Sequence, residues 1–150
     1  MGQSLVQNYI HIVFSTKHRE PLIKPPYENE LHSYIAGTCK NLDCQPVKIG
    51  GYTDHVHILC MLSKKIALVN LLEEVKTHSS KWMKTKDEAL KIFYWQGGYG
   101  AFSVNPSQVD TIITYINNQH LHHSKKTFQD EYRAFLKKYN VVYDERYVWD

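Results

Sequence analysis

The run Tyr9-Ile10-His11-Ile12-Val13-Phe14-Ser15-Thr16 constrains the fold more than any other stretch of the chain. Its β-branched and aromatic residues suit a strand. Apolar side chains fall on both of its faces, so the strand reads as central in a sheet. Two further runs fit as its neighbours. Val47 to Tyr52 and Asp54 to Leu62 read as strands joined near Thr53-Asp54, a hairpin. Phe93 to Val104 is aromatic and rich in glycine (Gly97, Gly98, Gly100) and reads as a bent strand or a loop with close backbone approach.

Helices fill the spaces between. Pro25-Pro26 opens one, since proline suits a first turn, and Tyr27, Leu31, Tyr34, Ile35 and Leu42 recur along it at helical spacing. Ser63 reads as the N-cap of a helix over roughly Lys65 to Lys84, with Leu68, Leu72, Val75 and Trp82 as its apolar stripe. Asn105-Pro106-Ser107 starts another, through about Gln119. The last runs from about Phe128 to Tyr139, with Phe128, Tyr132, Phe135, Leu136 and Tyr139 as its stripe. The order β-α-β-β-α-β-α-α approximates the split βαβ pattern of ferredoxin-like, RRM-like sheets. The expected class is α+β: an antiparallel sheet with helices packed mainly on one face, leaving the other open for a site. At 150 residues, positions 1–150 are expected to form one domain.

The net charge of +3 is unevenly placed. Residues 1–60 carry five basic and five acidic side chains, whereas residues 61–126 carry nine basic and five acidic. That local excess suits an anionic partner. Cys39, Cys44 and Cys60 have no zinc-like spacing and are expected to be buried free thiols. No apolar run reaches transmembrane length, and Met1-Gly2-Gln3-Ser4-Leu5 lacks the regions of a signal peptide. The expected place is the cytoplasm, with no membrane partner.

Candidate chemistry begins at Asp54-His55-Val56-His57-Ile58-Leu59. Strand side chains alternate faces, so His55 and His57 point the same way, roughly 6–7 Å apart at the backbone. Two imidazoles aimed at one spot can hold a divalent metal. In the helix after Pro106, Tyr115 and Gln119 stand four apart and share a face. Tyr115 is a candidate nucleophile, and a metal would polarise the phosphodiester that a weak phenol must attack. The Gln119 amide oxygen can serve as a third ligand. Two imidazoles and one amide oxygen suit Mg²⁺ or Mn²⁺ better than a closed structural zinc. Lys76, Lys81, Lys84, Lys125 and Lys126 are candidate phosphate contacts. Asp54 either orients an imidazole or closes the hairpin turn. His120, His122 and His123 crowd a helix end, where they fit the helix dipole when protonated or form a second metal site.

His55-Val56-His57 resembles the His-hydrophobe-His motif of the HUH endonucleases, and Tyr115-Ile116-Asn117-Asn118-Gln119 resembles the helix of their single-tyrosine, IS200-like transposases from small insertion sequences. The likeness extends to Asn8–Phe14, to Trp95–Ser103 and to the tail Tyr143–Tyr147. The resemblance implies the HUH endonuclease fold. It implies that Tyr115 attacks a phosphodiester of single-stranded DNA, leaving a 5′-phosphotyrosine and a free 3′-hydroxyl. It gives His55, His57 and Gln119 as metal ligands and imperfect DNA hairpins as the recognised partner. It also implies a homodimer in which one subunit's tyrosine helix meets the other's histidine pair. Relaxases use a third histidine, a role for which His11 is a candidate. Gln119, in place of the lysine of related replication initiators, favours the transposase branch. Three other readings use the same residues: a REP-associated tyrosine transposase, a silent single-strand or hairpin-binding regulator, and a metal-dependent phosphodiesterase with water as nucleophile.

Overall fold

The computed structural model describes residues 1–150. Four strands form one sheet in the order β2-β3-β1-β4: β1 Tyr9–Ser15, β2 Pro46–Tyr52, β3 His55–Met61 and β4 Gly100–Val104. All neighbours are antiparallel. The doubly apolar run is β1, and it lies inside the sheet between β3 and β4. Three short 3-10 turns, at Lys17–Arg19, Glu88–Ile92 and Pro106–Gln108, punctuate the connections.

Five helices cover the sheet: α1 Tyr27–Asn41, α2 Leu68–Lys84, α3 Val109–Asn117, α4 Gln119–His123 and α5 Phe128–Lys138. One face carries Ile10, Ile12, Phe14, Val56, Ile58 and Cys60, buried against Leu31 and Ile35 of α1 and Leu71, Leu72 and Val75 of α2. The other face carries His11, Val13, His55, His57 and Leu59. The class is the expected α+β sheet, but this second face is not open. Phe128, Tyr132, Phe135 and Leu136 of α5 pack over Val13 and Phe102, and Ile112 and Ile116 of α3 pack over Leu59 and Val104. The apolar stripes of α3 and α5 need a surface, and the half-apolar second face supplies it. The three cysteines are buried and unpaired by disulfides.

Local differences have local causes. Ser63 caps only a turn, accepting from the Lys65 N–H at 3.1 Å, and α2 begins later, at Leu68. The buried side of α2 includes Leu71, Ser79 and Met83, while Trp82 turns outward to stack on Tyr34 with ring centroids 5.2 Å apart. Asn105 does start the next helical segment, its Oδ1 accepting from the Ser107 N–H at 2.9 Å. That segment is broken. Asn118, at φ −96° and ψ 17°, ends α3, and Gln119 opens α4. Thr127 caps α5 by accepting from the Asp130 N–H at 3.2 Å.

Gly50 fixes how closely the tyrosine helix approaches the sheet. A Cβ there would stand 2.6 Å from Ile116 Cγ2 and 3.0 Å from the Ile116 carbonyl oxygen. Gly50 lies opposite His57 in the sheet register. Gly50→Val is expected to lift α3 from β2 and to cost about 1–3 kcal/mol, read as a shift of the chemical-denaturation midpoint. Unchanged stability would show that α3 does not depend on this approach.

Candidate active site

β3 presents His55 and His57 to the covered face, across from Ser15 and Val13 of β1. Both imidazoles have 0% exposure. Each is held from behind through Nδ1. Asp54 Oδ1 lies 2.7 Å from His55 Nδ1, and His11 Nε2 lies 2.8 Å from His57 Nδ1. Fixing Nδ1 orients the ring and leaves Nε2 facing forward, as in metal-binding histidines. Asp54 fits both readings: its side chain makes the orienting contact, and its backbone lies in the two-residue turn that joins β2 to β3. His11 stacks on His57 with centroids 5.1 Å apart, behind the ring and away from its Nε2. Burial, and then the neighbouring His57, hold the His11 pKa well below the ordinary imidazole value.

The two forward nitrogens converge on Glu131 of α5, which is 2% exposed. Its Oε1 lies 3.3 Å from His55 Nε2 and 3.0 Å from His57 Nε2. Gln119 bridges the group. Its Oε1 is 2.8 Å from His55 Nε2, and its Nε2 donates to Glu131 Oε2 at 3.0 Å. The Tyr115 hydroxyl donates to the same Glu131 Oε2. One chain therefore brings together His55, His57, Tyr115 and Gln119 around a carboxylate. Despite the break at Asn118, Tyr115 and Gln119 meet at one point. His123 adds an Nε2 at 3.2 Å from Glu131 Oε1, and His122 an Nε2 at 3.6 Å from Oε2.

The charges follow from this packing. Burial alone would raise the Glu131 carboxyl, but the imidazoles of His123, His55 and His57 around it outweigh that and hold the group well below the usual carboxylate range. Burial would lower His55, but Asp54 and Glu131 more than reverse that and raise it to about 9. For His57, burial prevails over Glu131 and the pKa is lowered. Burial first, then the Glu131 charge, push the Tyr115 phenol above its usual range. The resting site is a carboxylate flanked by a charged imidazole and a protonated phenol.

This donor set fits a divalent cation. Ligand atoms of His55, His57 and Glu131 lie within 4.8 Å of one another, and the Gln119 amide oxygen adjoins them. Glu131 is the functional residue that sequence patterning passes over. Its available signal is a charge inside an apolar stripe, three residues after Phe128 and four before Phe135.

A pocket of about 200 Å³ reaches Tyr115 and Glu131 from solvent, past His122, Lys126 and Lys138. Lys125 and Lys126 line an adjoining one. The helix lysines divide differently. Lys76 Nζ donates to the carbonyls of Gln96, Gly97 and Gly98 at 2.9, 3.2 and 2.7 Å, which ties the loop before β4 to α2. Lys84 donates to the Phe93 carbonyl and lies 4.0 Å from the centre of the Tyr94 ring. Lys81 is exposed. No helix is long and apolar enough to cross a membrane.

A four-stranded antiparallel sheet that carries paired imidazoles on an interior strand, facing a tyrosine on a helix, defines the HUH class of fold. The chain belongs to the IS200-like transposase family, whose model matches residues 4–119. Among solved structures, it is similar to a candidate transposase from Deinococcus radiodurans R1, with a TM-score of 0.62 and 19% identity over 79% of this chain and 96% of that one. It is also similar to a REP-associated tyrosine transposase bound to a REP hairpin, with a TM-score of 0.61 and 13% identity over 82% of this chain and 73% of that one. No curated protein matches the chain.

Proposed function

We propose that residues 1–150 act as one transposase domain that cleaves and rejoins single-stranded DNA at hairpin-bearing element ends. The observation that supports this is the meeting of the Tyr115 hydroxyl, two forward imidazole nitrogens and the Gln119 amide at Glu131. Tyr115 Oη attacks phosphorus, the bond from phosphorus to the 3′ oxygen breaks, and a 5′-phosphotyrosine forms. The phenol proton passes to Glu131 Oε2, its present partner, and is returned to the departing 3′ oxygen. A DNA 3′-hydroxyl later reverses the step, so the covalent link conserves the bond energy. His55, His57 and Glu131, with Gln119 beside them, would hold Mg²⁺ or Mn²⁺, which offsets the charge of the phosphodiester.

Lys126, Lys138 and Lys125 at the mouth suit a DNA backbone, whereas the exposed Lys81 sits on α2, across the sheet from them. Lys76 and Lys84 act on the protein's own loop instead. A hairpin partner accords with the hairpin-bound neighbour. The place of action is the cytoplasm, where the element's DNA lies. His57→Ala is expected to reduce metal-dependent cleavage of a labelled hairpin substrate by at least about 100-fold. Undiminished cleavage would exclude His57 from the reaction. Mixing Tyr115→Phe with His57→Ala chains then separates two assemblies. Restored cleavage means a homodimer that shares its site between subunits; none means that each chain works with its own tyrosine, as this structure has it.

A further inference from the structure

α4 brings two more histidines to Glu131, and neither has a role in the site as described. The His123 side chain is 2% exposed. Its Nδ1 donates to the Lys126 carbonyl at 2.6 Å. In the neutral imidazole that bond places the ring proton on Nδ1 and leaves a lone pair on Nε2. The lone pair lies 3.2 Å from Glu131 Oε1, yet Nε2 makes no hydrogen bond. His122 Nε2 is buried, lacks a hydrogen-bond partner and lies 3.6 Å from Glu131 Oε2. Two buried ring nitrogens beside a carboxylate, neither of them hydrogen-bonded, are partners that a cation between them and Glu131 would satisfy.

We propose that His122, His123 and Glu131 form a second divalent-cation site, which shares Glu131 with the His55–His57 site. The ligand atoms of the three residues lie within 4.8 Å of one another, as a group separate from His55, His57 and Glu131. Two ligands each about 2.1 Å from one ion stand about 3.0–3.4 Å apart at right-angled to tetrahedral geometry. The 3.2 Å spacing falls in that range, and the 3.6 Å spacing needs only a small ring movement. Imidazole and carboxylate together suit Zn²⁺, Co²⁺ or Mn²⁺. The site borders the Tyr115 side of Glu131, and the solvent pocket that reaches Tyr115 and His122 gives an ion its way in. Lys126 and Lys138 line the same pocket, so a bare ion binds here more weakly than at His55 and His57.

The proposal rests on the reading of His55 and His57 as the first site, and the test keeps the two apart. Co²⁺ bound per chain is counted by equilibrium dialysis, with its visible absorption as a coordination signature. The proteins are the wild type, His57→Ala and the His122→Ala/His123→Ala double variant, each shown to be folded by circular dichroism. Two ions on the wild type and one on each variant are expected. One ion on the wild type and none on His57→Ala overturns the second site and leaves the first standing. Two ions on both the wild type and His57→Ala, with one on the double variant, supports the His122–His123 site and removes the first. Equal binding by the wild type and the double variant overturns the proposal outright.

Discussion

Tyr115→Phe is expected to abolish covalent attachment to single-stranded hairpin DNA. The substitution removes one oxygen, and that oxygen is the only part of the ring that can attack phosphorus. Adduct formation on a denaturing gel should fall by at least about 10³-fold, in line with the loss of a nucleophile elsewhere. The ring itself stays packed against His57 and Phe135, at centroid distances of 5.7 and 5.6 Å. The variant should therefore fold, bind cation and bind DNA. Its cost in stability is bounded by the lost hydrogen bond to Glu131, about 1–3 kcal/mol. Undiminished adduct in the phenylalanine variant would remove Tyr115 from the chemistry. Full turnover without any adduct would point to water as the nucleophile instead.

Glu131→Ala is expected to be the most destabilising change in the site. The carboxylate is the common partner of His55, His57, Tyr115 and Gln119. Its removal strands buried polar groups, and breaking a buried ion pair from one side costs about 3–5 kcal/mol. For a chain of this length that is a fall in Tm of about 6–20 °C. The same pairing sets a pH response in protein stripped of metal by a chelator. His55 has a folded pKa of about 9, above its unfolded value of about 6.5. Its stabilisation is complete below the unfolded value and is lost as pH rises through the folded one. That loss amounts to about 3 kcal/mol between pH 6.5 and 9. Glu131 is shifted the opposite way, so its contribution is present above the ordinary carboxylate pKa and disappears in acid. Thermal melts at pH 6 and pH 9 check this. The wild type should lose stability on the alkaline side, and Glu131→Ala, which keeps the Asp54 contact, should lose less. Equal pH responses would mean that Glu131 contributes nothing to the charged state of His55 beyond what Asp54 supplies.

What was legible in the sequence follows the range of the interactions. His55 and His57 are two apart on a strand, and Tyr115 and Gln119 four apart near a helix end, so local periodicity aligns each pair. The doubly apolar β1 and the turn residues likewise declare the sheet. Glu131 was illegible because its helix is defined by its stripe, and a carboxylate within that stripe draws its meaning from imidazoles more than seventy residues away. His122 and His123 face inward because α3 breaks at Asn118, and no proline or glycine marks that break. The lysines show the same limit. Lys76 and Lys84 look like a solvated basic face until the loop before β4 folds back and offers its carbonyls.

The cover over the second face of the sheet has a kinetic consequence. His55 and His57 have no exposed surface, and Phe128, Phe135, His123 and Glu131 stand over them from α4 and α5. A phosphodiester can enter the pocket beside Tyr115, but it cannot touch the imidazoles while those helices are seated. On the proposed function, movement of α4 and α5 would therefore set a ceiling on turnover through the packing of two aromatic rings rather than through the chemistry beneath them. Such a ceiling would leave DNA that passes a resting molecule intact.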